Sequence, residues 1–427
     1  MKRLIISTSL MMLAIAAGAQ QENNFKVDAQ LRTRGEYNNG AVYPRGDGQL
    51  PATFISERAR ISADFERGPL EMKLSAQHTG LWGQDGMNTS NGRLTMNEAW
   101  AKLKFADGWF AQIGRQQLSY DDERILGTGD WNMNGNWHDA LKVGYEKGTN
   151  KVHAFVAMNQ NNANRGNYYQ GSMPYKAMQG VWFNHQWQST PLNISLLGLN
   201  TGYELGKPGN GKTRYMQTIG TDVNYKPGAW NLHGAFYYQM GTNADNLKVS
   251  SCMASFKAGY QIDEKWKVAL GMDYLEGENY IGASYNNGEL ISLTKEHYDR
   301  TRTFNPLYGS HHLFYGMMDY FYASDFVGGI EPGLGDLQVD VDYKASTKTS
   351  LKMNYHYFTT ASDCLDKRGL GHEVDLQFTT KLMKDVTLMG GYSVMRGTKM
   401  MDNVKGGDHS SWQDWAWISL NINMRGF

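Results

Sequence analysis

Residues Phe25–Tyr37, FKVDAQLRTRGEY, alternate between two kinds of side chain. Phe25, Val27, Ala29 and Leu31 fall on one face of an extended chain, and Lys26, Asp28, Gln30, Arg32, Arg34 and Glu36 fall on the other. The same period of two recurs down the whole chain, and no segment between carries a convincing 3.6-residue stripe. The charged face needs water, and an apolar face repeated this often needs more than a small core. A water-filled barrel in a membrane meets both demands, because closing the sheet leaves no unpaired backbone edge in lipid. The expected fold class is therefore all-β: a transmembrane antiparallel up-and-down β-barrel.

The alternation predicts strands at 25–37, 52–66, 70–82, 93–106, 109–118, 137–147, 151–161, 178–188, 192–204, 214–226, 229–241, 249–261, 265–278, 334–345, 349–360, 371–382, 386–398 and 412–427, which makes 18. Their connections alternate in length. Short ones such as Arg67-Gly68-Pro69, Asp107-Gly108, Pro227-Gly228 and Met383–Asp385 carry turn residues or a brief polar break. Long ones fall at 38–51, 83–92, 119–136, 162–177, 205–213, 242–248, 279–333, 361–370 and 399–411. Short periplasmic turns, long extracellular loops and an even strand count are the barrel signature, and they put both termini in the periplasm. Trp266 and Tyr274, at the ends of one strand, suit the aromatic girdles at membrane surfaces. Three strands fit less well. Arg115 falls on the lipid side unless a bulge at Gly114 resets the phase, and His185 falls there too. Ile418, Leu420, Ile422 and Met424 are out of phase with the terminal Phe427, which implies a late bulge.

The chain opens with Lys2 and Arg3, an apolar run over Leu4–Ala16, and Ala17-Gly18-Ala19, the pattern of a signal peptide (residues 1–19) cut after Ala19. Residues 20–427 then form one barrel domain, whose net charge of about −2 gives no argument for nucleic acid. The first strand follows too closely for an N-terminal plug domain. Nothing approaches 18 consecutive apolar residues, so no helix is expected to span a membrane. Cys252 and Cys364 are too few for a disulfide scaffold, although one bridge between them stays open.

Several motifs carry no chemistry in this context. Gly206–Thr213 matches GxxxxGK[ST], but a phosphate cradle needs a helix next and an alternating strand follows. The adjacent His311 and His312 should point apart, and no zinc spacing occurs, so no metal or other cofactor is expected. His409-Ser410 lacks a visible orienting partner or oxyanion donor, so the chain does not read as an enzyme.

Charge carries the stronger signal. Arg32, Arg34, Arg58, Arg60, Lys102, Lys104 and Arg425 share the inward phase on the first, second, fourth and last strands, which closure makes one wall. Asp340, Asp342, Glu373 and Asp375 are inward on the fourteenth and sixteenth. Opposed charge walls can select solutes by charge; alternatively, the charges pair across strands and only solvate the wall. Gly220, Gly259, Gly271 and Gly391 are small inward positions that favour an open pore. The 279–333 connection is long for a structureless loop, and its centre, Phe304–Tyr322, is rich in aromatic residues and histidine. It is either a constriction folded into the lumen or a surface lid packed on its own rings.

The run Ile113-Gly114-Arg115-Gln116-Gln117-Leu118, then Asp122-Glu123-Arg124, Gly127 and Asp130-Trp131, resembles the alginate export family of outer-membrane porins. So do Arg32-Thr33-Arg34, Glu57-Arg58-Ala59-Arg60, and Asn305-Pro306-Leu307-Tyr308-Gly309 with Phe314-Tyr315-Gly316 and Asp319. The resemblance implies an 18-stranded barrel whose arginine-lined lumen passes an anionic polysaccharide. It implies lumen roles for Arg32, Arg34, Arg58 and Arg60, while the direction of Arg115 and Arg124 stays open. The family's export channel is plugged by a long periplasmic loop, for which Met383–Asp385 has no room, so a porin for small anionic sugars or oligosaccharides is an equal reading. The expected partners are outer-membrane lipid and an anionic saccharide or other small solute; a monomer stays open. A general small-solute porin or a structural or adhesive barrel without selectivity is the alternative.

Overall fold

The computed structural model describes residues 23–85, 93–161, 163, 167–169, 171–279, 283–286, 289–292, 299–321, 332–363 and 367–426. Its strands run in order: β1 (Asn23–Asn39), β2 (Ala52–Arg67), β3 (Leu70–Leu81), β4 (Arg93–Ala106), β5 (Trp109–Gln116), β6 (His138–Lys147), β7 (Asn150–Met158), β8 (Ala177–Gln186), β9 (Leu192–Leu205), β10 (Lys212–Tyr225), β11 (Trp230–Thr242), β12 (Lys248–Gln261) and β13 (Trp266–Leu275). Then come β14 (Ala283–Asn286), β15 (Glu289–Ser292), β16 (Arg300–Thr301), β17 (Leu334–Lys344), β18 (Thr349–Thr359), β19 (Gly369–Met383), β20 (Val386–Gly397) and β21 (Gln413–Met424).

All 18 expected strands are present, as β1–β13 and β17–β21. Each pairs antiparallel with its sequence neighbour, β13 pairs with β17, and β1 closes against β21 with Arg32 opposite Asn421. β14 and β15 form a hairpin apart from the barrel, and β16 adds two parallel pairings to β12 within the 279–333 connection. The last long loop holds one helix, α1 (Lys399–Lys405), capped by the Thr398 hydroxyl and seated through Met400, Met401 and Val404. Sequence periodicity gave no sign of so short a helix.

The outward face is apolar and exposed, with Leu31, Ile61, Leu141, Val181, Ile219, Phe236, Leu270, Leu337, Leu376 and Ile418 around the circumference. A continuous belt of this kind is far larger than a soluble monomer exposes and is covered by lipid. At the short-turn end, rings pair across neighbouring strands: Trp109 with Tyr145 (5.1 Å), Trp230 with Tyr260 (4.9 Å) and Trp266 with Tyr343 (4.3 Å). These make one girdle.

The poorly fitting strands resolve individually. Gly114 has φ +121°, and a Cβ there would meet the Ala99 carbonyl oxygen at 2.2 Å, yet the phase is not reset. Gln112 and Gln116 stay buried inside, and Arg115 stays outside in a two-pronged pair with Asp139 (2.9 and 2.9 Å) at the long-loop end. His185 sits at the short-turn end, bonded to Asn150 (2.7 Å) beside Trp187. β21 keeps an unbroken register to β20 through Ile422 and to β1 through Met424, with Ile418, Leu420 and Met424 outward. Phe427 lies outside the described residues, as do Cys364 and the signal-peptide segment.

Two of the inward glycines do not mark open space. A Cβ on Gly220 would meet the Tyr237 ring at 2.2 Å, and one on Gly391 the Trp417 ring at 2.4 Å. Each glycine seats an aromatic side chain from the residue directly opposite it. The long-loop half of the lumen is filled by a core that includes Leu118, Ile125, Leu126, Phe304, Met318, Phe321 and Phe358. Open space of about 890 Å³ lies at the short-turn end, lined by Lys267, Lys348, Lys352 and Lys381 among others.

The alternation of connections sets a topology that labelling checks. In a Cys252→Ser, Cys364→Ser background, Leu50→Cys in a long loop should react with an impermeant maleimide on intact cells. Asp107→Cys in a short turn should not; reaction at Asp107→Cys alone would invert the orientation.

Candidate functional site

The arginines on β1 and β2 meet because the register sets Arg32 opposite Arg58 and Gln30 opposite Arg60. Four guanidiniums this close repel unless counter-charges or water separate them. Residues 117–137, between β5 and β6, turn into the barrel and bring Asp130 onto the cluster. Its carboxylate accepts from Arg32 Nη2 (2.7 Å) and Arg58 Nη1 (2.9 Å), with Arg60 Nη1 at 3.8 Å, and its carbonyl accepts from Arg32 Nη1 (2.5 Å). Burial pushes the Asp130 carboxyl up, but Arg58 and Arg32 overcome it and hold it below the usual carboxylate range. Arg34 pairs with Glu36 (2.8 Å) and lies 4.2 Å over the Trp131 ring. Gln30 Oε1 accepts from Arg58, and Gln77 Oε1 accepts from Arg60. Two carboxylates against four guanidiniums leave the wall net positive. Arg58 is sealed from solvent, while Arg32 and Arg34 border open space.

The other basic residues lie apart. Lys102 and Lys104 sit toward the short-turn end, both beside Glu71, with Lys102 4.2 Å over the Phe110 ring. Arg425 lies one residue past β21, exposed, outside the ladder.

The acidic residues of β17 and β19 face the lumen with partners of their own. Asp340 accepts from Lys257 (2.8 Å) and Asn354 (2.5 Å), and Asp342 lies 3.9 Å from Lys267. Glu373 accepts the Met318 backbone N–H (2.8 Å), and Asp375 that of Met317 (3.4 Å). His356 stands between Asp336 (3.0 Å) and Asp375 (3.7 Å). Lys257, Lys267, Asp336 and His356 sit at inward positions that the same alternation identifies, so they were within reach of the sequence reading. Asp130 had no periodic signal.

Arg124 joins the pieces. It is buried, and burial works against its charge, but Asp273 (3.1 Å) and Asp122 (2.9 Å) overcome that and hold its pKa above the usual value. It also bonds the Ser255 hydroxyl (2.9 Å) and lies 4.0 Å over the Phe314 ring. Phe314 belongs to residues 299–321 of the 279–333 connection, which fold into the lumen rather than over it. The two inward segments clasp each other: Leu126 bridges Tyr308, Gly127 N–H donates to the Tyr308 carbonyl (3.0 Å), and the Ser310 hydroxyl donates to Glu123. Asp122-Glu123-Arg124 and Tyr308-Gly309-Ser310, far apart in sequence, are thus one structural unit.

Between this clasp and the barrel wall lies a cavity of about 370 Å³. Arg32 and Arg34 stand on one side, Lys257 and Lys352 on another, with the Trp131, His312 and Trp417 rings among its walls. His312 stacks on Trp131 at 4.0 Å and bonds Asp319 (2.8 Å), while His311 turns to the Pro306 carbonyl (3.2 Å), so the two imidazoles diverge as expected. Burial pushes His311 down to about 4, which keeps it neutral. Among the described residues two groups have metal-like spacing, Asp122–Asp222–His233 and Asp402–Asp408–His409. In the first, Arg124 already neutralises Asp122 and His233 bonds Asp222 (2.5 Å). In the second, His409 bonds Asp402 while Asp408 accepts from Ser410 and Ser411. Gly206–Thr213 is a turn leading into β10, with no helix to cradle phosphate.

Comparison with known proteins agrees with this architecture. A family model described as alginate export matches residues 24–366. The barrel is similar to the outer membrane protein OpdK of Pseudomonas aeruginosa (9% identity, 94% of this chain and 99% of that one, TM-score 0.61). It is also similar to OccAB1 of Acinetobacter baumannii (12%, 94% and 97%, 0.61) and to P. aeruginosa OccK2, solved in complex with glucuronate (11%, 94% and 98%, 0.59). No curated protein matches the chain.

Removing the Arg124 charge leaves two carboxylates uncompensated in a dry site, a change that typically costs about 3–5 kcal/mol. Arg124→Ala should therefore release both inward segments while the barrel persists. Single-channel conductance should rise and chymotrypsin should cut at Phe304, Tyr315, Tyr320 or Phe321, which are buried in the parent; unchanged conductance and resistance would mean that the apolar core alone holds the clasp.

Proposed function

The chain belongs to the alginate export family of outer-membrane channels, and from that premise we propose that it passes anionic sugar solutes, sugar acids or their short oligomers, passively through a basic lumen. The observation that carries this reading is the convergence of Arg32 and Arg34 from one wall with Lys257 and Lys352 from another on one aromatic-walled cavity. A carboxylate can take a guanidinium in two-pronged fashion, and Phe314, Met317 and Met389 give the cavity apolar lining for the C–H groups of a sugar. The lysines at the short-turn end extend positive charge from that cavity, since Lys352 borders both spaces. Glucuronate, the molecule bound in OccK2, is the class of solute to try first.

A porin without solute preference is the second reading. It draws support from the internal pairing of the wall, where Asp130 and Glu36 neutralise part of the arginine charge. The two readings differ in planar bilayers. For the selective channel, Arg32→Ala combined with Arg34→Ala should cut the anion-to-cation permeability ratio by about twofold or more at low salt. The effect should shrink toward about 1 M salt, where exposed charges are screened within about 3 Å. Selectivity identical to the parent at low salt would favour the unselective porin.

A further inference from the structure

The arginine site is already occupied by a carboxylate, and that carboxylate belongs to the chain. Asp130 takes two guanidiniums at 2.7 and 2.9 Å, the contacts an anionic solute would make, and its side chain is 44% exposed toward the lumen. The segment that carries it is built in two parts. Its base, with Leu118, Tyr120, Ile125 and Leu126, is buried in the luminal core. Its tip, residues 130–137, contains no fully buried residue. Polar contacts to wall side chains tie the tip down. The Trp131 carbonyl accepts from Arg34 (3.2 Å), and that of Met133 from Arg58 (3.4 Å). The Asn134 carbonyl accepts from Gln77 (2.7 Å), and its side-chain oxygen from Thr79 (2.9 Å). Glycines at 129 and 135, both at positive φ, stand near the two ends of the tip. The apolar anchor of the tip is Trp131, which packs on the luminal core against His312 (4.0 Å), Trp417 (4.9 Å) and Trp415 (5.9 Å) and also borders the cavity. Around that anchor, the ion pair to Arg32 and the hydrogen bonds to wall side chains lie beside the cavity and can exchange partners at small net cost, unlike the packed base.

We propose that Asp130 is an internal stand-in for the solute carboxylate: it closes the arginine site, and an anionic solute enters by taking its place on Arg32 and Arg58. The inference rests on the anionic-solute reading above and adds its regulation. Exchange releases the polar contacts of the tip to β1–β3 while Trp131 stays seated on the core, uncovers Arg58, and widens the space beside β1 and β2. Asp130 thereby sets the affinity threshold for passage, because the apparent affinity of a site falls by the fraction of time it stands open.

The test uses sodium glucuronate on the full-length protein in planar bilayers, with neutral glucose as control. For the parent, glucuronate should produce concentration-dependent changes in single-channel current that glucose does not. Asp130→Asn keeps the size and an acceptor oxygen but removes the competing charge, and should lower the half-effect concentration of glucuronate about tenfold if the closed form dominates by a similar ratio. Glu98→Gln removes the same charge from the same lumen, where Glu98 bonds Lys73 and Trp100 instead, and should shift it less than about twofold. Equal shifts in the two variants, or none in Asp130→Asn, would overturn the stand-in while leaving the anionic reading in place. A parent that responds to neither sugar would overturn both. A second arm ties the tip down with Thr79→Cys and Asn134→Cys in a background free of Cys252 and Cys364. The oxidised protein should lose the glucuronate response and regain it on reduction, and an undiminished response when oxidised would overturn the exchange.

Discussion

A guanidinium buried inside a barrel must find its counter-charges there, and the arrangement of this lumen depends on how Arg124 does so. Its two carboxylates come from different places, Asp122 from its own segment and Asp273 from β13. The pairing therefore fixes residues 117–137 against the wall opposite the arginines. Its aromatic contact, Phe314, then fixes the second inward segment to the first. Ion pairs at the surface contribute little, but a dry pair cannot lose one partner without stranding the other. The clasp is accordingly rigid where it is charged and buried, and its tip, held by wetter contacts, is where exchange is cheapest.

The same logic orders the two halves of the lumen. At the long-loop end, Phe304, Met318, Tyr320, Phe321 and Phe358 exclude water. Glu373 and Asp375 there are satisfied in part by backbone N–H groups of the inward segment. At the short-turn end, no segment enters among the described residues, and lysines border open space. Constriction comes from loops folded down from the long-loop side. The turn between β19 and β20, where the family's plug would sit, is only Lys384 and Asp385.

The strands were legible because lipid imposes a period of two on every one of them, whatever the rest of the sequence does. That constraint is local, so it reached Arg32, Arg34, Arg58 and Arg60 on β1 and β2 and equally Asp340 and Glu373 on β17 and β19. It carried no information about residues 117–137, whose side chains face the barrel interior from an irregular backbone. Tyr120, Ile125, Leu126 and Trp131 were apolar residues in an expected surface loop, the same kind of signal that marked Phe304–Tyr322, but spread more thinly. Gly220 and Gly391 misled for a related reason. A missing side chain reads as space in a sequence, whereas in a sheet it is a seat for the ring on the next strand.

Asp130 shows why charge on a wall cannot be equated with charge offered to a solute. By sequence the wall is seven basic residues, with Glu36 on the same face; in space its four arginines stand apart from the rest and meet Glu36 and a carboxylate from a segment about a hundred residues away. An open wall of that density would hold any polyanion tightly, and a channel must release what it binds. A tethered carboxylate solves this without removing the charge: it competes at constant local concentration, so it weakens every anion by the same factor. Selectivity among anions then falls to the cavity groups the tether does not contact, Lys257 and Lys352, with the apolar lining of Phe314 and Met389 beside them. Charge admits the solute class, and the aromatic and lysine surfaces facing that charge sort the solutes within it.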